Sequence, residues 1–220
     1  MGRQTHTRER LVRTGGELFW RQGYAQTGVS SIMKKARATS GSFYHFFPTK
    51  DDLLLAVLDA VAENISTEVL GAAESAFEDP SRRVAILIEA YRARTAPGAS
   101  GYGIPVGTLV GELGPDHGAA LTRVEQIYEI LISRIAGWFV DGDHRWDGSV
   151  DPRRLAEFVV AALEGASMMA VAGRRTAPFD ACAEQLQLRL ESLAIGGSPG
   201  AEEMPPPDPS ATGAGDWKAW

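Results

Sequence analysis

The chain has 220 residues, 44% of them hydrophobic and 23% charged, with a formal net charge of −6. That composition supports one or two packed domains, and a single cysteine, Cys182, excludes an internal disulfide and a cysteine-based zinc site. No apolar run approaches the ~20 residues of a membrane helix, and MGRQTHTRER lacks the apolar core of a signal peptide, so a cytoplasmic chain without a membrane partner is expected.

The net charge conceals an asymmetry. Residues 1–50 carry nine Lys/Arg and two Asp/Glu, net +7, while the remainder is net −13. A local basic surface on an acidic body is the electrostatic footprint of nucleic-acid binding.

After a short polar arm, Met1 to His6, a first helix is expected from Thr7 to Gln22. Leu11, Val12, Gly15, Leu18 and Phe19 form its buried stripe, and Gly23 supplies the stop. Gly15 and Gly16 inside a helix each cost up to ~1 kcal/mol relative to Ala, which close packing against another helix explains. Arg8, Arg10 and Arg13 line the outer side.

The stretch from Thr27 to Leu54 reads as two short helices and the start of a third. Val29, Ile32, Met33 and Ala36 recur at helical spacing. Arg37, Ala38 and Thr39 form a polar break, and Ser40 can cap the next helix. There Phe43, Phe46 and Phe47 share one face, leaving Gly41, Tyr44 and His45 on the other. A helix, a tight turn and a short second helix make the helix-turn-helix plan, whose second helix enters the DNA major groove. Thr49 is an N-cap with Asp52 at the third helical position. Lys50 then stands first in the fourth helix, where a cation opposes the helix dipole. A docked phosphate explains its place there.

Residues 7 to 58, and GSFYHFFPTKDDLL above all, resemble the DNA-binding domain of TetR-type transcriptional regulators. That resemblance implies an all-α fold, with an N-terminal three-helix helix-turn-helix domain at residues 1–50. A helical ligand-binding and dimerisation domain follows at residues 51–195. It also implies a homodimer on a pseudo-palindromic operator in double-stranded DNA. The DNA-facing residues are then Arg37, Thr39, Ser40, Gly41, Ser42, Tyr44, His45 and Lys50. Arg37 stands where that family usually has Gly in the turn, and a non-Gly residue in left-handed geometry costs roughly 1 kcal/mol.

Further along, the fourth helix is expected to reach Leu70, with an apolar stripe through Leu54, Val57, Leu58, Val61, Ile65 and Val69. Asp79-Pro80 opens the next helix, which carries Val84, Leu87, Ile88 and Tyr91. The Gly- and Pro-punctuated segment 97–105 reads as a loop, followed by a short apolar helix from Val106 to Leu113. Pro115 opens a long helix through Phe139. Asp151-Pro152 repeats the cap-and-proline start, and helices at 153–173 and 178–195 complete the body. The first of these is rich in small residues, among them Ala161, Ala162, Gly165 and Ala166, that permit close helix approach. Residues 196–220 are rich in Pro, Gly and acid, without apolar periodicity, and are expected to be disordered.

No P-loop, HExxH or GxSxG pattern occurs, and the four His residues fall in four different elements, so neither an enzyme nor a metal or cofactor site is expected. The segments 103–113 and 163–169 resemble the ligand domain of one TetR-type subgroup. Some of its members sense electrophiles through a Cys near the start of the first segment; none stands near residue 104 here. A non-covalent apolar pocket for a small apolar effector is expected instead. Its lining would be Tyr91, Tyr102, Leu109, Leu113, Tyr128, Phe158 and Met168, with Glu112 as a polar anchor. The resulting expectation is a ligand-responsive repressor. The alternative is a ligand-binding or interaction protein of the same fold that has lost specific DNA recognition.

Overall fold

The computed structural model of the chain describes residues 2–96, 103–140, 145–146 and 150–195. The described residues are helical, apart from connecting turns and a two-residue antiparallel bridge pairing Arg145 with Ile195 and Trp146 with Ala194. They group into two compact units: residues 2–65 with 103–127, and residues 66–96 with 128–195. This grouping does not follow the break expected after residue 50, because the fourth helix and a later segment both join the first unit. Tyr102 and the tail 196–220 lie outside the described residues.

In the first unit, α1 (Gly2–Gln22) begins inside the stretch read as an arm, which contains no proline to stop it. Leu11 and Phe19 are fully buried, and each such side chain contributes on the order of 1.5–3 kcal/mol. A Cβ on Gly15 would stand 3.0 Å from Leu53 Cδ2 and 3.5 Å from Val57 Cγ2. The bare glycine therefore lets α1 lie close against α4 (Lys50–Asn64). Between them come α2 (Val29–Lys35) and α3 (Ser40–Phe46). Arg37 adopts left-handed geometry, with φ of 50°. The cap of α3 is Thr39 rather than Ser40: its hydroxyl accepts the Ser42 N–H at 3.2 Å, and Ser40 is already helical. The Thr49–Asp52 capping box forms as read.

Residues 103–127 return to the first unit through α7 (Gly107–Val110), a 3₁₀ turn (Pro115–His117) and the start of α8 (Gly118–Val140). Ile104, Val106, Leu109, Val124 and Ile127 are buried. The Trp20 indole N–H donates to the Pro105 carbonyl at 3.1 Å, tying this segment to α1.

The second unit starts inside a π-helical turn (Ile65–Leu70), where one long helix was expected. A π turn leaves carbonyls without their usual partner. Arg134 takes up the Ser66 carbonyl at 2.7 Å and also pairs with Glu74. The chain then resumes as α5 (Gly71–Ala76). Asp79 caps α6 (Pro80–Thr95) and Asp151 caps α9 (Pro152–Gly173), each followed by its proline. Both helices pack with α10 (Ala177–Leu193), whose Phe179 is buried beneath Arg92.

The helix α9 is more continuously apolar than its sequence pattern suggests, as core helices of globular proteins can be. It is long and apolar enough to cross a membrane by length and composition, and only half of its apolar window is buried. Charged Arg153, Arg154, Glu157 and Glu164 interrupt its residue pattern, which is why no run stood out in the sequence.

Candidate DNA interface and effector site

The amphipathic α3 positions the first site. Phe43 and Phe47 are buried and Phe46 is half-buried. These aromatics leave Thr39, Ser40, Gly41 and His45 exposed, with Tyr44 53% exposed and Ser42 half-buried. A Cβ on Gly41 would meet nothing within 4 Å, so this part of the helix is open to close approach. Arg37 is exposed at the turn preceding α3. Seven of the eight expected DNA-facing residues thus lie on α3 or the turn before it. The α1 arginines stand beside them: Arg10 Nε donates to the Ala36 carbonyl at 3.3 Å, and Arg8 lies 5.5 Å from the Phe47 ring centre.

Lys50 departs from expectation. Its ammonium turns inward, donating to the carbonyls of Tyr24 at 2.9 Å and Thr27 at 3.2 Å, and sits 3.9 Å from the Tyr24 ring centre. These acceptors give a cation at the first helical position partners within its own chain. Burial pulls the ammonium below its ordinary pKa, opposed by the Asp51 and Glu112 carboxylates. Tyr24 completes the clamp by donating its hydroxyl to Asp51. Burial, reinforced by Asp51, holds that phenol protonated well above its ordinary range.

The residues expected to line one pocket divide between the units. Leu109, Glu112 and Leu113 belong to the first, and Tyr91, Tyr128, Phe158 and Met168 to the second. Glu112 is exposed and accepts the Ala25 N–H at 2.9 Å, so its carboxylate already has a partner in the turn after α1. Phe158 and Met168 are 49% and 48% exposed on the outer face of α9. Gly165 and Met169 share that face, whereas Ala166 faces the core.

What the second unit does bring together is a buried polar cluster. Tyr91 from α6 and Tyr128 from α8 donate their hydroxyls to the two oxygens of Glu164 from α9, at 2.9 Å and 3.1 Å. Tyr91 is fully buried and Glu164 nearly so. Burial and the adjacent carboxylate hold both phenols protonated above their ordinary range. Ser167, one turn further along α9, has a fully buried hydroxyl without a hydrogen-bond partner. Glu164 was not among the candidates that the sequence pattern offers. Its signal was an acid set among small and apolar residues on the inner face of a helix. Among the described residues no His, Cys, Asp and Glu group is arranged to hold a metal.

The sequence pattern of the bacterial regulatory proteins of the tetR family matches residues 11–57, which span α1 to α4. The LmrA/YxaF-like C-terminal domain of transcriptional regulators matches residues 80–185. The transcriptional regulator AcuR of Cereibacter sphaeroides is 31% identical over 181 residues, covering 77% of this chain and 78% of that one.

The chain belongs to the TetR family.

The transcriptional repressor NemR of Escherichia coli is 36% identical over 76 residues, 33% of this chain and 38% of NemR. The crystal structure of its reduced form overlays with a TM-score of 0.74 at 21% identity, covering 87% of this chain and 98% of that one. The expected all-α architecture therefore holds: an N-terminal helix-turn-helix with a helical C-terminal part. The chain is a DNA-binding transcriptional regulator, and its relatives carry the names of regulators rather than enzymes. Members of the family bind DNA and typically act as dimers with small-molecule effectors.

Proposed function

We propose that the chain is a cytoplasmic homodimeric repressor that releases a pseudo-palindromic operator when a small effector binds its second unit. The observation that carries the reading is the exposed side of α3. Its aromatics are turned inward, while Tyr44, His45, Gly41 and the residues from Arg37 to Ser40 are available to a groove. Two such helices related by a two-fold axis meet half-sites about 34–36 Å apart, or a multiple of that.

The outer face of α9 supports association. Phe158, Met168 and Met169 are exposed beside a bare Gly165, and a two-fold interface lets one such patch cover its own copy. The Tyr91–Tyr128–Glu164 cluster supports effector binding there. A purely structural core has no need of a carboxylate and a buried, unpartnered hydroxyl, each of which costs free energy to desolvate. The effector is accordingly a mostly apolar molecule carrying at least one hydrogen-bonding group. It acts by binding the DNA-incompetent state more tightly than the competent one.

The deciding experiment titrates the wild-type chain and Tyr44→Ala against two duplexes. One is selected by the wild-type chain from a randomised pool, and the other is its scrambled counterpart. Tyr44→Ala should lose most of its preference for the selected duplex while keeping its binding to the scrambled one. Equal preference in wild type and variant would remove α3 as the reading element.

A further inference from the structure

The turn between α1 and α2, residues 23–27, is held from two sides by opposite charges. From α4, the Lys50 ammonium holds the Tyr24 and Thr27 carbonyls. From the segment after α7, the Glu112 carboxylate accepts the Ala25 N–H at 2.9 Å, across 87 residues of chain. Glu112 also occupies the space beside Gly23. That residue has φ of +89°, and a Cβ there would collide with the carboxylate. The 3₁₀ turn contributes His117, whose ring meets Tyr24 edge-on at 5.3 Å. Thr27 closes the turn on itself, donating its hydroxyl to the Gly23 carbonyl at 2.6 Å.

This bracing bears on the next element. Gly28, the N-cap of α2, offers no side-chain cap. At its start the direction of α2 therefore depends on the turn behind it, while buried Ile32 and the Arg10 bond to the Ala36 carbonyl hold the rest of the helix against α1. After α2 the chain passes through the left-handed Arg37 and enters α3 within three residues. An error in the setting of α2 is carried into the aim of α3.

We propose that Glu112 is a positioning residue for operator binding. It touches no DNA, but it fixes the turn from which the helix-turn-helix is aimed. The inference rests on α3 reading the groove. A carboxylate suits the task because it holds one backbone donor while balancing the lysine on the other side of the same turn. A charge-assisted hydrogen bond is also stronger than a neutral one.

The test uses the full-length chain with Glu112→Ala, Glu112→Gln and Tyr44→Ala, on the duplex selected by wild type and on its scrambled counterpart. Glu112→Ala should bind the selected duplex about fivefold more weakly, equivalent to ~1 kcal/mol. Binding to scrambled DNA should change less than about twofold, with the salt slope unchanged because no phosphate contact is lost. Glu112→Gln keeps an acceptor oxygen for the Ala25 N–H but loses the charge, and should fall between wild type and Glu112→Ala, about two- to threefold weaker than wild type. Wild-type affinity in Glu112→Ala would overturn the proposal, as would equal losses on both DNAs or a Gln variant as weak as the Ala variant. Tyr44→Ala separates the two readings: if it too leaves operator preference intact, α3 is not the reader. If only Glu112→Ala is silent, α3 reads the groove and Glu112 does not position it.

Discussion

Lys50→Ala distinguishes an internal clamp from a phosphate contact, and its size follows from the geometry. The substitution deletes hydrogen bonds to the Tyr24 carbonyl at 2.9 Å and the Thr27 carbonyl at 3.2 Å, together with a cation 3.9 Å from the Tyr24 ring centre. A hydrogen bond from a charged donor contributes about 1.5–3 kcal/mol, and a cation over an aromatic ring near the surface about 0.5–1 kcal/mol. Against these stands roughly 0.3–1 kcal/mol gained by removing a positive charge from a helix N-terminus. Lys50 is only half-buried, and the Tyr24 carbonyl keeps the Thr27 N–H at 3.1 Å, so the lower end applies. The net loss is about 2.5 kcal/mol, which for a chain of this size lowers the thermal midpoint by about 5–10 °C. Circular dichroism melts measure the midpoint, and duplex titrations at several salt concentrations measure the slope. The clamp predicts a lower midpoint with an unchanged salt slope; a phosphate contact predicts the reverse, with the slope reduced by about one. A melt within about a degree of wild type, together with a reduced slope, would refute the clamp.

Two further outcomes are expected. Wild-type protein should sediment as a dimer at micromolar concentration. Gly165→Arg, at a position where a Cβ meets nothing within 4 Å of its own chain, should give a folded monomer. A monomeric wild type, or a variant that stays dimeric, would show that α9 is not the interface. The second outcome concerns alkaline pH. Tyr24, Tyr91 and Tyr128 have folded pKa values raised above 10.0, so the stability they confer is complete below pH 10 and is lost as pH climbs beyond it. Lys50, lowered from 10.5, works in the opposite direction but is one group against three. Urea midpoints should fall as pH rises above 10, less steeply in Tyr91→Phe; a flat profile, or an identical slope in the variant, would contradict this.

The helix-turn-helix was legible because its information is local. Phe43 and Tyr44 sort onto opposite faces by helical spacing alone, and Thr49 with Asp52 marks a helix start within four residues. The side chains whose surroundings differ from the sequence reading have partners remote in sequence. The position of Lys50 at a helix N-terminus suggested an anion, but its acceptors lie 23 and 26 residues upstream. Glu112 looked like a pocket anchor because nothing in its neighbourhood names Ala25, 87 residues away. Phe158 and Met168 were placed inside by residue type, although α9 has apolar residues on both faces and spacing cannot say which face its own chain covers. Glu164 was passed over for the converse reason, since its two phenol partners come from two other helices.

The discontinuity of the first unit constrains how the chain is made. A nascent chain that has just released α4 from the ribosome holds the whole helix-turn-helix sequence, yet lacks the Pro105 carbonyl for Trp20 and the carboxylate for Ala25. Residues 66–96 must be synthesised before 103–127 arrive to complete the unit. At about 5–20 residues per second, that interval lasts several seconds. Throughout it, the nascent head waits with its turn unbraced on one side. An isolated fragment ending at residue 65 would remain permanently at that stage, without the Pro105 and Glu112 contacts to α1 and its following turn.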